Sequence, residues 1–317
     1  MDDIYDVMIL GAGAAGLTAG IYTSRAKLST VILNQGATGG QMVLTNEVAN
    51  YPGVKTTRGY NLAAIMKSQA KEFGCKIKSN VRIQNYDLGG KIKSVELQDG
   101  RTFSAYSVIV APGGRPRSLQ IPGADRFRGA GISFCATCDG EFFTQKEIVV
   151  VGGGNSALEE AVSLTKYAKK VTIVHQFDHF QAFEHAVQEA KSNDKIDFIM
   201  ESALVEFGGE EKLDHVMIKH IPTGETRKFS TDGVFLFIGY LPNTEDLINH
   251  IQLNDRGEIV TNSSLQTSTP GVFAAGDTLS KQYRQITTAV ADGTIAALNA
   301  AEYVAKIKDK SIMAYAS

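Results

Sequence analysis

The 317-residue chain lacks several features that would place it in other classes of protein. No apolar run approaches the ~20 residues that a membrane-spanning helix needs, and no basic segment followed by an apolar stretch marks a secretion signal at the N-terminus. We therefore expect a cytoplasmic protein without a membrane partner. The formal net charge is -2, so nothing in the balance of charges indicates a nucleic-acid partner.

Cysteine is also scarce, since the chain has 3. Two of them lie in the run Cys135-Ala136-Thr137-Cys138-Asp139. A Cys-x-x-Cys pair has a lowered thiol pKa and forms a disulfide that exchanges easily. A zinc site needs four ligands, and with Cys75 as the one remaining thiol we expect no bound metal. In a cytoplasmic protein the pair is then a redox centre rather than a structural disulfide.

A glycine turn stands between a predicted strand and a predicted helix near the start of the chain. The strand covers residues 4–10, the turn contains Gly11, Gly13 and Gly16, and the helix runs roughly from Ala14 to Arg25. In a dinucleotide site Gly11 makes the tight turn, Gly13 lets the backbone approach a pyrophosphate, and Gly16 lets the helix pack on the sheet. The helix N-terminus favours the anion.

A second glycine turn repeats this pattern in the middle of the chain. A predicted strand over 146–151 is followed by Gly152-Gly153-Gly154-Asn155-Ser156-Ala157 and a helix. The same spacing separates Gly11 from Asn34 and Gly152 from His175, each of which ends the next strand. Two such units in one chain predict one flavin domain and one pyridine-nucleotide-like domain.

A third signal is a short apolar strand that ends in Gly276-Asp277. Asp277 is placed to accept hydrogen bonds from the ribityl hydroxyls of a flavin. We predict a helix from about Ile286 to Ala305, whose N-terminus faces the flavin pyrimidine ring and stabilises negative charge there. The alternative is that Asp277 is a turn residue or a helix cap. Aliphatic strands and glycine turns alternate with helices throughout, which is typical of doubly wound α/β folds.

Taken together, these motifs resemble those of the low-molecular-weight thioredoxin reductases. The matching segments occur in family order along the whole chain, and they are residues 11–16, 39–41, 47–53, 135–140, 152–157, 242–244, 274–277 and 283–285. The resemblance implies an α/β fold of two Rossmann-like doubly wound domains, the second inserted in the first. It implies an FAD-binding domain from 1–115 and 243–317, and an inserted domain from 116–242 that carries the Cys pair.

The resemblance also implies what the chain does and with which residues. It implies a homodimer that binds FAD and reduces thioredoxin. Cys138 takes electrons from the flavin, Cys135 attacks the disulfide of thioredoxin, and Asp139 protonates a leaving thiolate, because each released thiolate needs a proton source. The implied cofactor-binding residues are Gly11, Gly13, Ala14, Ala15, Gly16, Asn34, Gln35, Gly40, Gln41, Asn50, Val81, Ala111, Gly276, Asp277, Arg284, Gln285 and Ile286.

The chain departs from the family where NADPH is recognised. The usual member carries His-Arg-Arg-Asp-x-Phe-Arg after the second strand of the inserted domain, and this chain has His175-Gln176-Phe177-Asp178-His179-Phe180-Gln181. Each arginine bond to a phosphate contributes roughly 1.5–3 kcal/mol, so losing three is incompatible with ordinary NADPH affinity. A site for NADH normally has an acidic residue at the end of this strand, where His175 stands.

Three interpretations of the electron donor and the activity follow. A subgroup that resembles these enzymes lacks the arginines and takes electrons from ferredoxin, and we expect this chain to belong to it. The second interpretation is an NAD(P)H-dependent thioredoxin reductase with an altered pocket that uses Asp178. The third is a non-catalytic flavoprotein that acts as a redox sensor, and the intact Cys135, Cys138 and Asp139 argue against it.

Lysine clusters at 76–78, 91–93 and 166–170 are candidate surfaces for an acidic ferredoxin.

Overall fold

The computed structural model describes residues 4–45 and 48–315, with side chains described up to residue 309. The fold is α/β, as predicted. The chain divides into two compact units, one made of the residues up to Arg115 together with those from Leu241 onward, and the other of Pro116–Tyr240. The match of residues 47–53 to the family includes Glu47, which lies outside the described residues.

Strands and helices alternate along both units of the chain. The strands are β1 (Tyr5–Leu10), β2 (Thr30–Asn34), β3 (Lys76–Ser79), β4 (Ile83–Asp87), β5 (Lys93–Leu97), β6 (Thr102–Val110), β7 (Gly114–Pro116), β8 (Ile132–Ser133), β9 (Glu147–Val151), β10 (Lys170–Val174), β11 (Ile196–Ile199), β12 (Ser202–Gly209), β13 (Leu213–His220), β14 (Thr226–Ser230), β15 (Gly233–Leu236), β16 (Tyr240–Pro242) and β17 (Val272–Ala274). The α-helices are α1 (Ala14–Arg25), α2 (Gly59–Glu72), α3 (Ala136–Asp139), α4 (Asn155–Leu164), α5 (Glu184–Lys191) and α6 (Ile286–Tyr315). Short 3-10 helices cover Gly40–Leu44, Gly140–Phe143 and Glu245–Leu247.

The first unit is built on one sheet with the order β3-β2-β1-β6-β5-β4, with β17 beside β6. Strands β1, β2, β3, β6 and β17 are parallel, and β4 and β5 join antiparallel. The centre of β1 is buried throughout, because both faces of a parallel sheet are covered. The parallel strands end at one edge, so Asn34, which ends β2, and Gly11, Ala111 and Gly276, which follow β1, β6 and β17, all belong to that edge. Ligands of open α/β sheets bind at that edge.

The second unit repeats the arrangement on a smaller scale. Its parallel sheet has the order β11-β10-β9-β15-β8, and β12, β13 and β14 form an antiparallel sheet. Apolar residues of β9, β10 and β15 pack with α4 and α5 in the core. Glycine turn 152–154 leads from the end of β9 into α4, as the sequence predicted.

The last helix is longer than the sequence pattern predicted. We expected it to end near Ala305, but α6 continues to Tyr315. The residues after Ala305 include no glycine or proline, so nothing in them interrupts the backbone hydrogen bonds of a helix. Within α6, Ala296, Ala300 and Val304 are buried in the core that α1 also lines. Beyond Ala305, the Lys308 ammonium forms an ion pair with Asp6 at 2.6 Å.

Candidate redox centre and cofactor site

The two cysteines of the Cys-x-x-Cys run form a disulfide at the start of a helical turn. Their Cα atoms are 5.3 Å apart, and both residues are half-buried. Cys135 is the N-cap of α3, and its Sγ accepts a hydrogen bond from the backbone N–H of Cys138 at 3.2 Å. A sulfur at this position keeps a donor when the disulfide opens. The N–H group therefore favours the thiolate of Cys135, which is the form that attacks a disulfide.

Asp139 is the last residue of the same short helix. Its backbone N–H donates to the carbonyl oxygen of Cys135 at 3.1 Å. Its Oδ2 accepts a hydrogen bond from the Ser133 hydroxyl at 2.6 Å. Burial raises the pKa of the Asp139 carboxyl, and the bond from Ser133 opposes this effect. A carboxyl with a raised pKa holds its proton closer to neutral pH, which suits a general acid beside a thiol pair.

Ser133 is a site residue that the sequence pattern did not reveal. It is buried at the end of β8, with 5% of its surface exposed. Besides donating to Asp139, its Oγ accepts the backbone N–H of Cys135 at 3.2 Å. The hydroxyl thus connects the cysteine pair to the acid. Serine side chains commonly bond nearby backbone groups, but nothing in the sequence links Ser133 to Asp139.

The first glycine turn packs tightly against the backbone at Gly11 and Gly16 but leaves room for a ligand above Gly13. Gly11 has φ +111, and a Cβ on it would lie 2.1 Å from the carbonyl oxygen of Ala111. A Cβ on Gly16 would lie 2.0 Å from the carbonyl oxygen of Gly11. By contrast, the nearest atom to a Cβ on Gly13 is the Cα of Gly40 at 4.0 Å. Helix α1 begins here with no side-chain cap, so no capping side chain satisfies its first N–H groups, which suit a pyrophosphate.

The predicted cofactor residues at the neighbouring strand ends also gather around this turn. Asn34 Oδ1 accepts the backbone N–H of Ala12 at 3.0 Å, and Asn34 Nδ2 donates to the carbonyl of Gly36 at 2.6 Å. The amide of Asn34 therefore shapes the turn itself. The N–H of buried Val81 donates to the Asn34 carbonyl at 3.1 Å.

Two further predicted residues, Asn50 and Gln285, contact each other directly. Asn50 Nδ2 donates to Gln285 Oε1 at 3.4 Å, although the two residues are far apart in sequence. Ile286 begins α6 directly after Gln285. Gln35 and Gln41 are exposed. Gln35 directly follows β2, and Gln41 lies in the 3-10 helix Gly40–Leu44.

Asp277 offers the clearest structural sign of a missing polar partner. Its Oδ1 is buried and has no hydrogen-bond partner among the described residues, and the Lys281 ammonium lies 3.7 Å from it. An unsatisfied buried carboxylate oxygen is costly unless a ligand donates to it. The space over Gly13, the uncapped start of α1 and this orphaned oxygen all fit a dinucleotide with a polyhydroxyl chain. Arg284, by contrast, pairs with Glu258, and its Nε donates to the Asp277 carbonyl at 3.2 Å.

The second glycine turn is covered by a side chain of the protein. A Cβ on Gly153 would lie 2.3 Å from the ring of His175, which is 5% exposed. This ring stacks on Phe180 at a centroid distance of 5.7 Å and meets the edge of Phe177 at 5.4 Å. Burial lowers the pKa of His175, so the ring is neutral at pH 7 and offers no cation to a phosphate.

Polar groups of residues 176–181, and of Phe183 just beyond them, bond to each other or to the second glycine turn and the start of α4. Asp178 Oδ1 and His179 Nδ1 form an exposed hydrogen bond at 2.7 Å, and the Gln181 N–H donates to the Gly153 carbonyl at 2.8 Å. Asn155, at the start of α4, accepts the N–H of Phe183 at 2.7 Å. Residues 175–181 contain no arginine or lysine. This segment therefore offers no such cation to a phosphate at the second glycine turn.

The lysine clusters are weaker candidates for an acidic partner than the sequence indicated. Lys93 is 0% exposed and donates to the Gly90 carbonyl at 3.1 Å and to the Tyr303 hydroxyl at 3.2 Å. It therefore contributes nothing to a surface patch. In the third cluster, Lys169 pairs with Glu147 at 2.7 Å and Lys170 with Asp197 at 2.9 Å. Their charges are partly compensated by neighbours.

Two further kinds of feature are absent from the described part of the chain. Among the helices of residues 4–45 and 48–315, none combines the length and the hydropathy of a membrane-spanning segment. Over the same residues, no three His, Cys, Asp or Glu side chains form a group able to hold a metal ion.

The family to which this chain belongs follows from comparison with known proteins. Residues 5–293 match the model of the pyridine nucleotide-disulphide oxidoreductases. The chain is 43% identical over 311 residues to a thioredoxin reductase of Peptoclostridium acidaminophilum, covering 96% of this chain and 98% of the relative. It is 41% identical over 299 residues to a 34.2 kDa protein in rubredoxin operon of Clostridium pasteurianum, covering 94% and 97%. The structure of thioredoxin reductase from Streptococcus pyogenes MGAS5005 superposes with a TM-score of 0.91 at 39% identity, covering 96% and 100%.

The chain therefore belongs to the pyridine nucleotide-disulphide oxidoreductases, among the low-molecular-weight thioredoxin reductases. These enzymes are FAD-binding flavoproteins with two Rossmann-like domains. The predictions of the family, the fold class and the FAD cofactor are confirmed.

Proposed function

We propose that this FAD-dependent disulfide oxidoreductase reduces thioredoxin and that it receives its electrons from ferredoxin. The substrate is supported by the thioredoxin reductases to which the chain is similar along its whole length. The proposal that ferredoxin is the electron donor rests on one observation. The segment 175–181 supplies no arginine to the second glycine turn, and the neutral ring of His175 covers Gly153.

The cysteine pair carries the disulfide chemistry in this proposal. When bound, FAD would supply two electrons for reduction of the Cys135–Cys138 disulfide, in which Cys138 would be the cysteine that receives them and two protons would complete the dithiol. The Cys135 thiolate then attacks one sulfur of the thioredoxin disulfide and forms a mixed disulfide. Cys138 attacks Cys135, the internal disulfide forms again, and reduced thioredoxin leaves. Asp139 gives a proton to a leaving thiolate, and Ser133 orients its carboxyl group.

The cofactor is held by the first unit. We assign the pyrophosphate to the N-terminus of α1 above Gly13, and the ribityl hydroxyls to Asp277. The FAD domain then comprises 1–115 and 243–317, and the inserted domain comprises 116–242. This assignment is supported by the division of the chain after Arg115 and before Leu241.

The donor is tested by mixing the oxidised protein with NADPH, NADH or reduced ferredoxin and following the flavin band near ~450 nm. Ferredoxin should bleach the band at a rate that supports turnover, and neither nucleotide should do so. A matched variant restores the arginines in one step, as Gln176→Arg, Phe177→Arg and Gln181→Arg. If the glycine turn is otherwise competent, this variant should gain reduction by NADPH.

The second candidate is an NADH-dependent reductase with a relaxed pocket. It is favoured by the intact glycine turn Gly152–Gly154 and by Asp178, the acidic residue beyond β10. In the structure, however, the Asp178 carboxylate is engaged by His179. Rapid bleaching by NADH, lost in Asp178→Asn, would establish this candidate in place of ferredoxin.

We also propose that the enzyme is a cytoplasmic homodimer. A reducing compartment suits a thiol-based reductase. Tyr22 on α1 and Ile295 and Leu298 on α6 are exposed apolar side chains on two helices that pack together, and a second copy would cover them. Light scattering should give twice the chain mass, and Leu298→Lys should lower it. A monomeric wild type would refute the dimer.

A further inference from the structure

Asp277 lies in a cluster of charged side chains that the redox chemistry does not use. Lys281 is four residues further along, and its ammonium nitrogen is 3.7 Å from the buried Asp277 Oδ1. The side chain of Lys281 is 17% exposed. A lysine this sheltered is rare unless a specific partner holds it.

Asp292 on α6 is that partner. Its Oδ2 accepts a hydrogen bond from the Lys281 ammonium at 2.6 Å and another from the backbone N–H of Gly276 at 3.2 Å. The Thr288 hydroxyl lies 3.4 Å from the same ammonium. Asp292 therefore fixes both Lys281 and the residue directly before Asp277. The Lys281 ammonium is hydrogen-bonded to Asp292 and lies beside Asp277 Oδ1, to which it makes no hydrogen bond of its own.

The other charged groups near Asp277 have different partners. Arg284 forms an ion pair with Glu258 and donates from Nε to the backbone carbonyl of Asp277. Burial raises the pKa of Asp277, the charges of Lys281 and then Arg284 oppose this, and Asp292 reinforces it. Of these groups, Lys281 is the cation whose ammonium lies beside Asp277 Oδ1, at 3.7 Å.

We propose that Lys281 is a positioning residue for FAD, which, held by Asp292, keeps the Asp277 carboxyl charged so that it accepts hydrogen bonds from the ribityl hydroxyls. The inference rests on the proposed assignment of Asp277 to the cofactor. Bonds to a charged acceptor are stronger than bonds to a neutral one. Removing the ammonium therefore weakens FAD binding through Asp277, and most strongly at low pH, where Asp277 gains a proton.

The experiment measures FAD dissociation from the holoprotein by the rise in free-flavin fluorescence on dilution, at a series of pH values. Lys281→Met should bind FAD about tenfold more weakly at the acidic end of the pH series, the factor that corresponds to about one pKa unit. The difference should shrink as the pH rises, because Asp277 is then ionised in both proteins. Lys281→Arg should restore binding. Because Lys281→Met leaves Asp292 unpaired, the double variant Lys281→Met with Asp292→Asn is measured as well and should show the same pH-dependent loss.

The background Asp277→Asn distinguishes the inference from the assignment on which it rests. If Lys281 acts through Asp277, then Lys281→Met should cause no further loss of FAD in that background. An equal loss at every pH, or the same loss with and without Asp277, would make Lys281 a purely structural residue and overturn the proposal. If Asp277→Asn itself binds FAD normally, the assignment of Asp277 fails, and the proposal fails with it.

Discussion

Replacing Ser133 by alanine should move the pH dependence of disulfide reduction to higher pH. The Ser133 hydroxyl donates to Asp139 Oδ2 at 2.6 Å and so stabilises the charged carboxylate. Without this bond, the burial that already raises the pKa of Asp139 is less opposed. The pKa of Asp139 should therefore rise further in Ser133→Ala.

The size of the shift follows from the strength of one charge-assisted hydrogen bond. Such a bond contributes roughly 1.5–3 kcal/mol, and a shift of one pKa unit corresponds to about 1.4 kcal/mol. Asp139 is half-buried, so water replaces part of the lost bond, and we expect a shift of about one unit. Because Asp139 acts in its protonated form, the rate falls as the pH rises through its pKa. The falling limb of the profile should therefore lie about one unit higher in the variant.

The assay isolates the half-reaction that uses the acid. The flavoprotein is reduced photochemically and mixed with oxidised thioredoxin between roughly pH 5 and pH 9, a range that brackets a raised carboxyl pKa. The control is Asp139→Asn, in which Ser133→Ala should leave the shape of the profile unchanged. If the falling limb of the pH profile lies at the same pH in wild type and in Ser133→Ala, the reasoning is refuted. It is also refuted if Ser133→Ala still shifts the limb in the Asp139→Asn background.

Further variants test the remaining assignments. Cys135→Ser and Cys138→Ser should each abolish thioredoxin reduction and keep FAD, and only Cys135→Ser should retain a thiolate-dependent change in the flavin spectrum. Retained turnover in either would remove the dithiol from the mechanism. Asp139→Asn should slow the proton-dependent step by roughly 10²–10⁴-fold, and an unchanged rate at all pH values would leave Asp139 as a helix residue. Gly13→Val should yield colourless protein, since its branched side chain fills the space above the uncapped start of α1; one FAD per chain in this variant would contradict the assigned site.

Local sequence patterns were enough to predict the framework of the fold. A strand, a glycine turn and a helix follow one another within a short stretch around Gly11, and again around Gly152, because each turn is dictated by its own residues. The spacing of Cys135 and Cys138 likewise favours a disulfide, since two intervening residues bring the Cα atoms within bonding range.

Contacts between distant segments could not be predicted in this way. The sequence predicts a surface lysine at Lys93, but its ammonium donates to the hydroxyl of Tyr303 on α6, far along the chain. The ion pair of Lys281 with Asp292 depends on how the loop after β17 folds back on α6. The sequence pattern predicted that α6 ends near Ala305, but the helix continues to Tyr315, and no glycine or proline follows Ala305 to interrupt it.

Reduction of the flavin by candidate donors tests the proposed electron pathway most directly. Hydride transfer needs the nicotinamide held about 3–3.5 Å from the flavin, and the second glycine turn, covered by His175 and without arginines, provides no firm grip for it. In stopped-flow mixing, NADPH and NADH should leave the flavin band unchanged on the time scale of turnover, and reduced ferredoxin should bleach it. Bleaching by either nucleotide at the turnover rate would contradict ferredoxin dependence and identify an ordinary nucleotide-dependent reductase.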